Sequence, residues 1–276
     1  MSQAHAASHG HGDGHGGHAA SHPYHMVKPS PWPAVGALSG GLLLGGVVLY
    51  MHGEHIWLMA IGFAGVLATM YLWWRDVIRE AAAGDHTGAV TRGLRFGMIL
   101  FISSEVMFFV AFFWAFFNGA LTHQEYLGNE WPPGGFEAIP AWQLPFLNTL
   151  ILLTSGATVT WAHHGIKHGN RQAGIWGLVL TIVLGVIFIG VQGYEYSHAP
   201  FGFRDGVFPT TFFMATGFHG FHVTVGVLFL SVCLYRQIKG HFKPDRHIGF
   251  EAAAWYWHFV DVVWLFLFIW VYWWGG

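Results

Sequence analysis

Seven long apolar runs, separated by short segments that carry nearly all the charge, constrain this chain more than any other feature. They lie near residues 32–51, 56–74, 96–121, 141–162, 173–194, 208–235 and 249–274. A hydrocarbon core of about 30 Å takes about 20 apolar residues in helical form, so seven crossings use about 140 residues. The 54% apolar share of 276 residues supplies that number, and the 9% charged share is far below that of a soluble domain. The pattern predicts an all-α membrane protein of seven transmembrane helices, formed by residues 29–276 behind an N-terminal tail of residues 1–28. The third and sixth runs outlast a bilayer and must tilt or project into water.

The charge pattern closes several functional classes. Twelve Lys and Arg against fourteen Asp and Glu leave a net charge of −2, with no basic cluster of the kind a nucleic-acid backbone needs. Nucleic acid is excluded as a partner. The lone cysteine, Cys233, excludes a disulfide framework and a thiolate zinc site. Eleven of the twelve basic residues (Lys28, Arg75, Arg79, Arg92, Arg95, Lys167, Arg171, Arg236, Lys239, Lys243 and Arg246) fall on one side of the spans, leaving Arg204 on the other. Cytoplasmic loops retain Lys and Arg, so the N-terminus is predicted inside and the C-terminus outside. The outer loops would then carry Glu54, Glu125, Glu130, Glu137, Glu195 and Asp205, a weakly acidic face.

Residues 1–25 are mostly Gly, Ala, Ser and His, including His5, His9, His11, His15, His18, His22 and His25. The tract lacks the apolar segment of a signal peptide. It reads as a solvated tail, with weak metal binding as the alternative. SPWP at 30–33 then opens the first span, where Pro in a first turn removes no intrahelical bond.

Ionisable groups inside lipid cost about 2.5 to 3.5 kcal/mol each and are functional or packing hypotheses by default. Glu105 lies ten residues past Arg95, about 15 Å deeper at 1.5 Å per residue. It could relay a proton, mark a contact with another subunit, or be a protonated packing residue. His258 and Asp261 share one helical face and form either a proton-handling unit or a buried polar pair. His163 and His164 end the fourth run, and His219 and His222 stand mid-span in GFHGFH. With His258 these imidazoles could ligate a haem or copper, although their spacing is unspecific. His219 and His222 lie about 60° apart around a helix and could face one neighbour. Every Lys sits at a membrane edge or in a loop, which speaks against a retinal site.

GALSGGLLLGG at 36–46 offers a face for close approach of a helix or a lipid chain. Trp73, Trp74, Trp255, Trp257, Trp273 and Trp274 suit interfacial anchoring. WWRDVIRE at 73–80 and GDHT at 84–87, with Arg236, Lys239 and His247, concentrate cationic donors that could hold anionic lipid headgroups, Arg75 among them. A stand-alone transporter would show matched internal repeats, which the chain lacks. A self-contained haem cytochrome of the membrane is the other alternative class.

Taken together, residues 25–276 resemble subunit III of the aa3-type cytochrome c oxidases. The resemblance rests on SPWP at 30–33, WWRDVIRE at 73–80, GLRFGMILFISSEVMFF at 93–109, FFWAFF at 112–117, TWAHH at 160–164, ATGFHGFH at 215–222 and GFEAAAWYWHFVDVVWLF at 249–266. It implies seven helices, with helices 1–2 splayed from a five-helix bundle (3–7) and a V-shaped cleft holding structural phospholipids. By position, headgroup contacts would fall on Trp74, Glu80, His86, Arg236 and His247, whereas Arg246 replaces a histidine of the family. The intramembrane carboxylate of the SEV motif is Glu105, which would face the catalytic subunit near the region of proton uptake. The resemblance implies a non-catalytic core subunit of a proton-pumping oxidase that carries no haem or copper itself. Haem a, haem a3, CuA and CuB would reside in the partner subunits I and II, with cytochrome c engaged through subunit II. It also implies that the chain keeps the catalytic subunit supplied with protons and durable in turnover, with its lipid cleft as a low-polarity oxygen route. The expected location is the bacterial cytoplasmic membrane, or the mitochondrial inner membrane for an organellar chain.

Overall fold

The computed structural model describes residues 29–53, 55–84, 86–122, 131–133 and 136–276. The His-rich tract with Lys28, and the loop acids Glu54, Asp85, Glu125 and Glu130, lie outside the described residues. Seven helices follow one another: α1 Trp32–Met51, α2 Trp57–Ala83, α3 Gly88–Leu121, α4 Leu144–Lys167, α5 Arg171–Ser197, α6 Val207–Ile238 and α7 Ile248–Leu267. A π-helical turn, Phe268–Trp273, continues α7. All seven are long and apolar enough to cross a membrane. Among the described residues there is no strand, only an isolated bridge between Lys243 and Arg246. The protein is an all-α membrane protein.

The helices outrun the apolar runs that announce them. α2 continues through RDVIREAAA to Ala83, nine residues past Trp74, because Arg, Glu and Ala are strong helix formers that need no lipid. α3 begins at Gly88 and reaches 34 residues, about 50 Å at 1.5 Å per residue. α6 has 32 residues, so both helices exceed the hydrocarbon thickness. Local chemistry sets the starts. Pro31 caps α1, and a Pro occupies the first turns of both α1 and α4. Asn170 caps α5, its side-chain oxygen accepting the Ala173 N–H at 3.1 Å.

The chain divides into two compact units, Met1–Gly93 and Leu94–Gly276. In the first, α1 packs along α2. Their backbones meet at Gly46 and Gly62, where a Cβ would overlap the backbone of Leu58 and Met59, or of Leu42 and Leu43. This is the small-residue contact that substitutes for a hydrophobic driving force inside lipid. A groove of about 440 Å³ on this unit is lined by Gly36, Val66, Thr69, Met70, Trp73, Trp74 and Val77.

In the second unit α4 packs on α5, α5 on α6, α6 on α7, and α7 back on α4. α3 adds one apolar stripe, with Phe109, Phe113 and Phe116 buried at helical spacing. Trp257 and Trp264 of α7 fill the centre, each below 2% exposed. Their indole N–H groups donate to Ser155 Oγ and Thr149 Oγ1 of α4, both at 2.9 Å. Size and hydrogen bonding together therefore fix the α4–α7 seam.

Candidate functional site: a carboxyl–imidazole pair and its surroundings

Glu105 of α3 meets His222 of α6, Oε2 to Nε2 at 2.9 Å. The opposite ring nitrogen, Nδ1, lies 2.7 Å from the carbonyl oxygen of Phe218. A carbonyl only accepts, so Nδ1 carries the hydrogen, and the Nε2 of a neutral ring is an acceptor. A bond from that atom to a carboxyl oxygen needs one proton between the two groups. It resides on Glu105 as an acid or on His222 as an imidazolium. The pair sits among aromatic rings: Phe109 at 4.9 Å between ring centroids, Phe108 at 5.9 Å and Phe259 at 6.2 Å from His222. The His222 side chain is 7% exposed and that of Glu105 23%.

The two mid-span histidines face different neighbours. His222 turns to α3, whereas His219 donates from Nε2 to the Val260 carbonyl of α7 at 3.2 Å and packs at a 36° tilt against Trp264. A 60° offset at mid-span thus separates two partners. His163 packs edge-on against His247 and Phe250, and His164 lies over His168. Among the described residues no group of three or more His, Cys, Asp or Glu is placed to hold a metal ion.

His258 and Asp261 meet at 3.4 Å, Nδ1 to Oδ2, and Nε2 of the same ring reaches Thr160 Oγ1 of α4 at 3.3 Å. Only the acid is buried: Asp261 is 9% exposed and His258 45% in their side chains. The second carboxyl oxygen of Asp261, Oδ1, is buried without a partner.

The cationic residues form a separate set on each unit. On the first, Trp32 Nε1 donates to Asp76 Oδ2 at 2.8 Å, joining the SPWP segment to WWRDVIRE. Arg75 and Arg79 approach the other oxygen of Asp76, at 3.4 and 3.7 Å. Trp74 is exposed beside the groove, Glu80 is half-buried on α2, and His86 is half-buried ahead of α3. On the second unit the guanidinium of Arg236 lies over the Phe242 ring at 4.5 Å. Its Nε is buried with no hydrogen-bond partner, and no carboxylate among the described residues pairs with it. Lys239 Nζ sits over the Tyr235 ring at 5.7 Å. His247 caps α7 and donates from Nδ1 to the Lys243 carbonyl at 3.0 Å.

One acid differs from its expected place on the outer face. Glu195 lies in the last turn of α5 and is 3% exposed, accepting the Tyr272 hydroxyl at 2.7 Å and the Gln192 amide at 3.0 Å. Hydropathy falls at Tyr194, which makes the following acid look like a loop residue. The available signal was local: Gln192 and Tyr196 flank it at helical and adjacent spacing, and a run of hydrogen-bonding side chains at the end of an apolar helix marks a buried network.

Comparison with known proteins agrees with the motifs. The family model for cytochrome c oxidase subunit III matches residues 22–276. The cytochrome c oxidase subunit 3 of Prototheca wickerhamii is 55% identical over 259 residues, covering 92% of this chain and 98% of the relative. That of Arabidopsis thaliana is 55% identical over 258 residues, 92% and 97% of the two chains. That of Gadus morhua is 56% identical over 257 residues, 93% and 98% of the two chains.

Proposed function

Because the chain belongs to the cytochrome c oxidase subunit III family and is thus a non-catalytic subunit of a respiratory oxidoreductase complex, we propose that its Glu105–His222 pair supports proton uptake by the catalytic subunit and so prolongs turnover. The observation that carries this reading is the 2.9 Å contact between Glu105 Oε2 and His222 Nε2. A carboxyl and an imidazole with Nδ1 committed to a carbonyl can pass from acid and base to ion pair without moving a heavy atom. The aromatic rings around them keep bulk water from competing for the bond. On this reading subunits I and II are the neighbours, haem a, haem a3, CuA and CuB lie in them, and cytochrome c engages subunit II. The complex sits in the inner membrane with the N-terminus of this chain inside, as the basic residues favour.

Glu105→Gln tests it in the assembled oxidase. The amide can still donate to Nε2, so the contact between α3 and α6 survives while the transferable proton is lost. Assembly is expected to stay intact, with a shorter turnover lifetime and an altered pH profile. An unchanged lifetime and pH profile would overturn the role.

Arg236 favours a second task, the holding of structural phospholipid. A half-buried guanidinium with an unpartnered Nε, flat against Phe242 and without a carboxylate, calls for an anion of phosphate chemistry. Lys239 and His247 belong to this headgroup site. On the first unit, Trp74, Arg75, Glu80 and His86 form the other, with acyl chain in the groove lined by Trp73 and Trp74. Replacing Arg236 and Arg75 together should lower the phospholipid that co-purifies; equal lipid content would reject the sites.

A further inference from the structure

Four polar side chains, Glu195 among them, meet at the end of the second unit. Asn148 comes from α4, Gln192 and Glu195 from α5, and Tyr272 from the π-helical turn; none is more than 5% exposed. The bonds run in one direction. Asn148 Nδ2 donates to Gln192 Oε1 at 3.3 Å, Gln192 Nε2 donates to Glu195 Oε1 at 3.0 Å, and the Tyr272 hydroxyl donates to the same Oε1 at 2.7 Å. Gln192 Nε2 also lies 3.3 Å from the Tyr272 oxygen. One carboxyl oxygen therefore receives two donors.

The other oxygen receives none. Glu195 Oε2 and Asn148 Oδ1 are both buried without a hydrogen-bond partner. Both are acceptors, and an ionised Glu195 supplies no hydrogen to either. Among the described residues no Lys, Arg or His forms an ion pair with Glu195. The remaining neighbours are uncharged or aromatic: the Tyr196 hydroxyl donates to Thr216 Oγ1 of α6 at 2.6 Å, and Phe212 and Trp264 pack on the Tyr272 ring. A carboxylate charge in such a place, buried and without a cation, is far costlier than its neutral form. A proton on Oε2 removes the charge and converts one orphaned acceptor into a donor, leaving Oε1 as the carbonyl oxygen that Tyr272 and Gln192 address.

We propose that the Asn148–Gln192–Glu195–Tyr272 cluster is a proton-binding site, with the proton resident on Glu195 Oε2 in the assembled protein. It is separate from the Glu105–His222 pair and uses different chemistry. There a base faces the acid and the proton can change owner. At Glu195 no base is in contact, so the proton is held.

Infrared spectra of the assembled oxidase in water and in deuterium oxide decide the matter, with Glu195→Gln and Tyr272→Phe complexes beside the wild type. The wild type should show a protonated-carboxyl C=O band that moves down in deuterium oxide and is missing from E195Q. In Y272F the band should remain and move up, because Oε1 has lost its shorter hydrogen bond. Loss of carboxylate stretching bands in E195Q, in place of a C=O band, would overturn the proposal, since Glu195 would then be ionised. If E195Q does not assemble, Y272F decides alone: an upward shift supports the site, and an unchanged carboxyl region overturns it.

Discussion

The indole of Trp32, two residues into the SPWP segment, donates to the carboxylate of Asp76 at 2.8 Å, which ties the start of α1 to the far part of α2. The same carboxylate holds Arg75 and Arg79. Trp32→Phe keeps the ring and deletes the donor. It should lower the stability of the α1–α2 pair by on the order of 1 kcal/mol, read as faster limited proteolysis of that pair in detergent.

Asp76 also ranks the two lipid sites. Arg75 already has a carboxylate at 3.4 Å, whereas Arg236 has none. Arg236→Ala should therefore lose more co-purified phospholipid than Arg75→Ala, and Asp76→Asn should retain at least as much as wild type. Quantitative mass spectrometry of lipid per complex gives the order; the reverse order would contradict the assignment.

Ser155 accepts the Trp257 indole and is completely buried. Ser155→Ala changes almost no volume but leaves an N–H without a partner in the core. The expected cost is about 1 to 3 kcal/mol, visible as a lower thermal midpoint of the assembled complex. Trp257→Ala adds a cavity and should cost about 3 to 5 kcal/mol.

A nearby ion pair should matter much less. Arg95 and Glu251 meet at 2.9 Å, but the arginine side chain is 46% exposed. Glu251→Gln is expected to cost less than about 1 kcal/mol, with a difference that shrinks as salt is raised. Thermal midpoints at low and high ionic strength check both statements.

What the sequence made legible follows the physics of each feature. The spans are readable because lipid imposes a minimum apolar length on every crossing. Their ends are not, because RDVIREAAA stays helical without lipid, and only propensity tells of it. Glu105 stands out through its distance from Arg95, a quantity that can be counted along one helix. Its partner His222 is 117 residues away and depends on how α3 lies against α6, which no local pattern encodes. His219 and His222 show the same limit: their angular offset is readable, and the neighbours it selects are not. Glu195 was obscured by hydropathy itself, since an acid after the last apolar residue scores as loop whether it faces water or Tyr272.

The π-helical turn that ends α7 is closed by a hydrogen bond that spans five residues, from the Trp274 N–H to the Ile269 carbonyl at 2.9 Å. On an ordinary helix Tyr272 would sit about 140° around from the fully buried Leu267. The wide turn carries one residue more than the pitch requires and brings Tyr272 back to the buried face. Spacing along the last stretch of chain is thereby uncoupled from spacing in α7. By the same arithmetic, removing a single residue from 268–270 would restore regular winding with the phenol four residues from Leu267, about 40° around, and so keep it on the buried face while leaving the tryptophan seam upstream untouched.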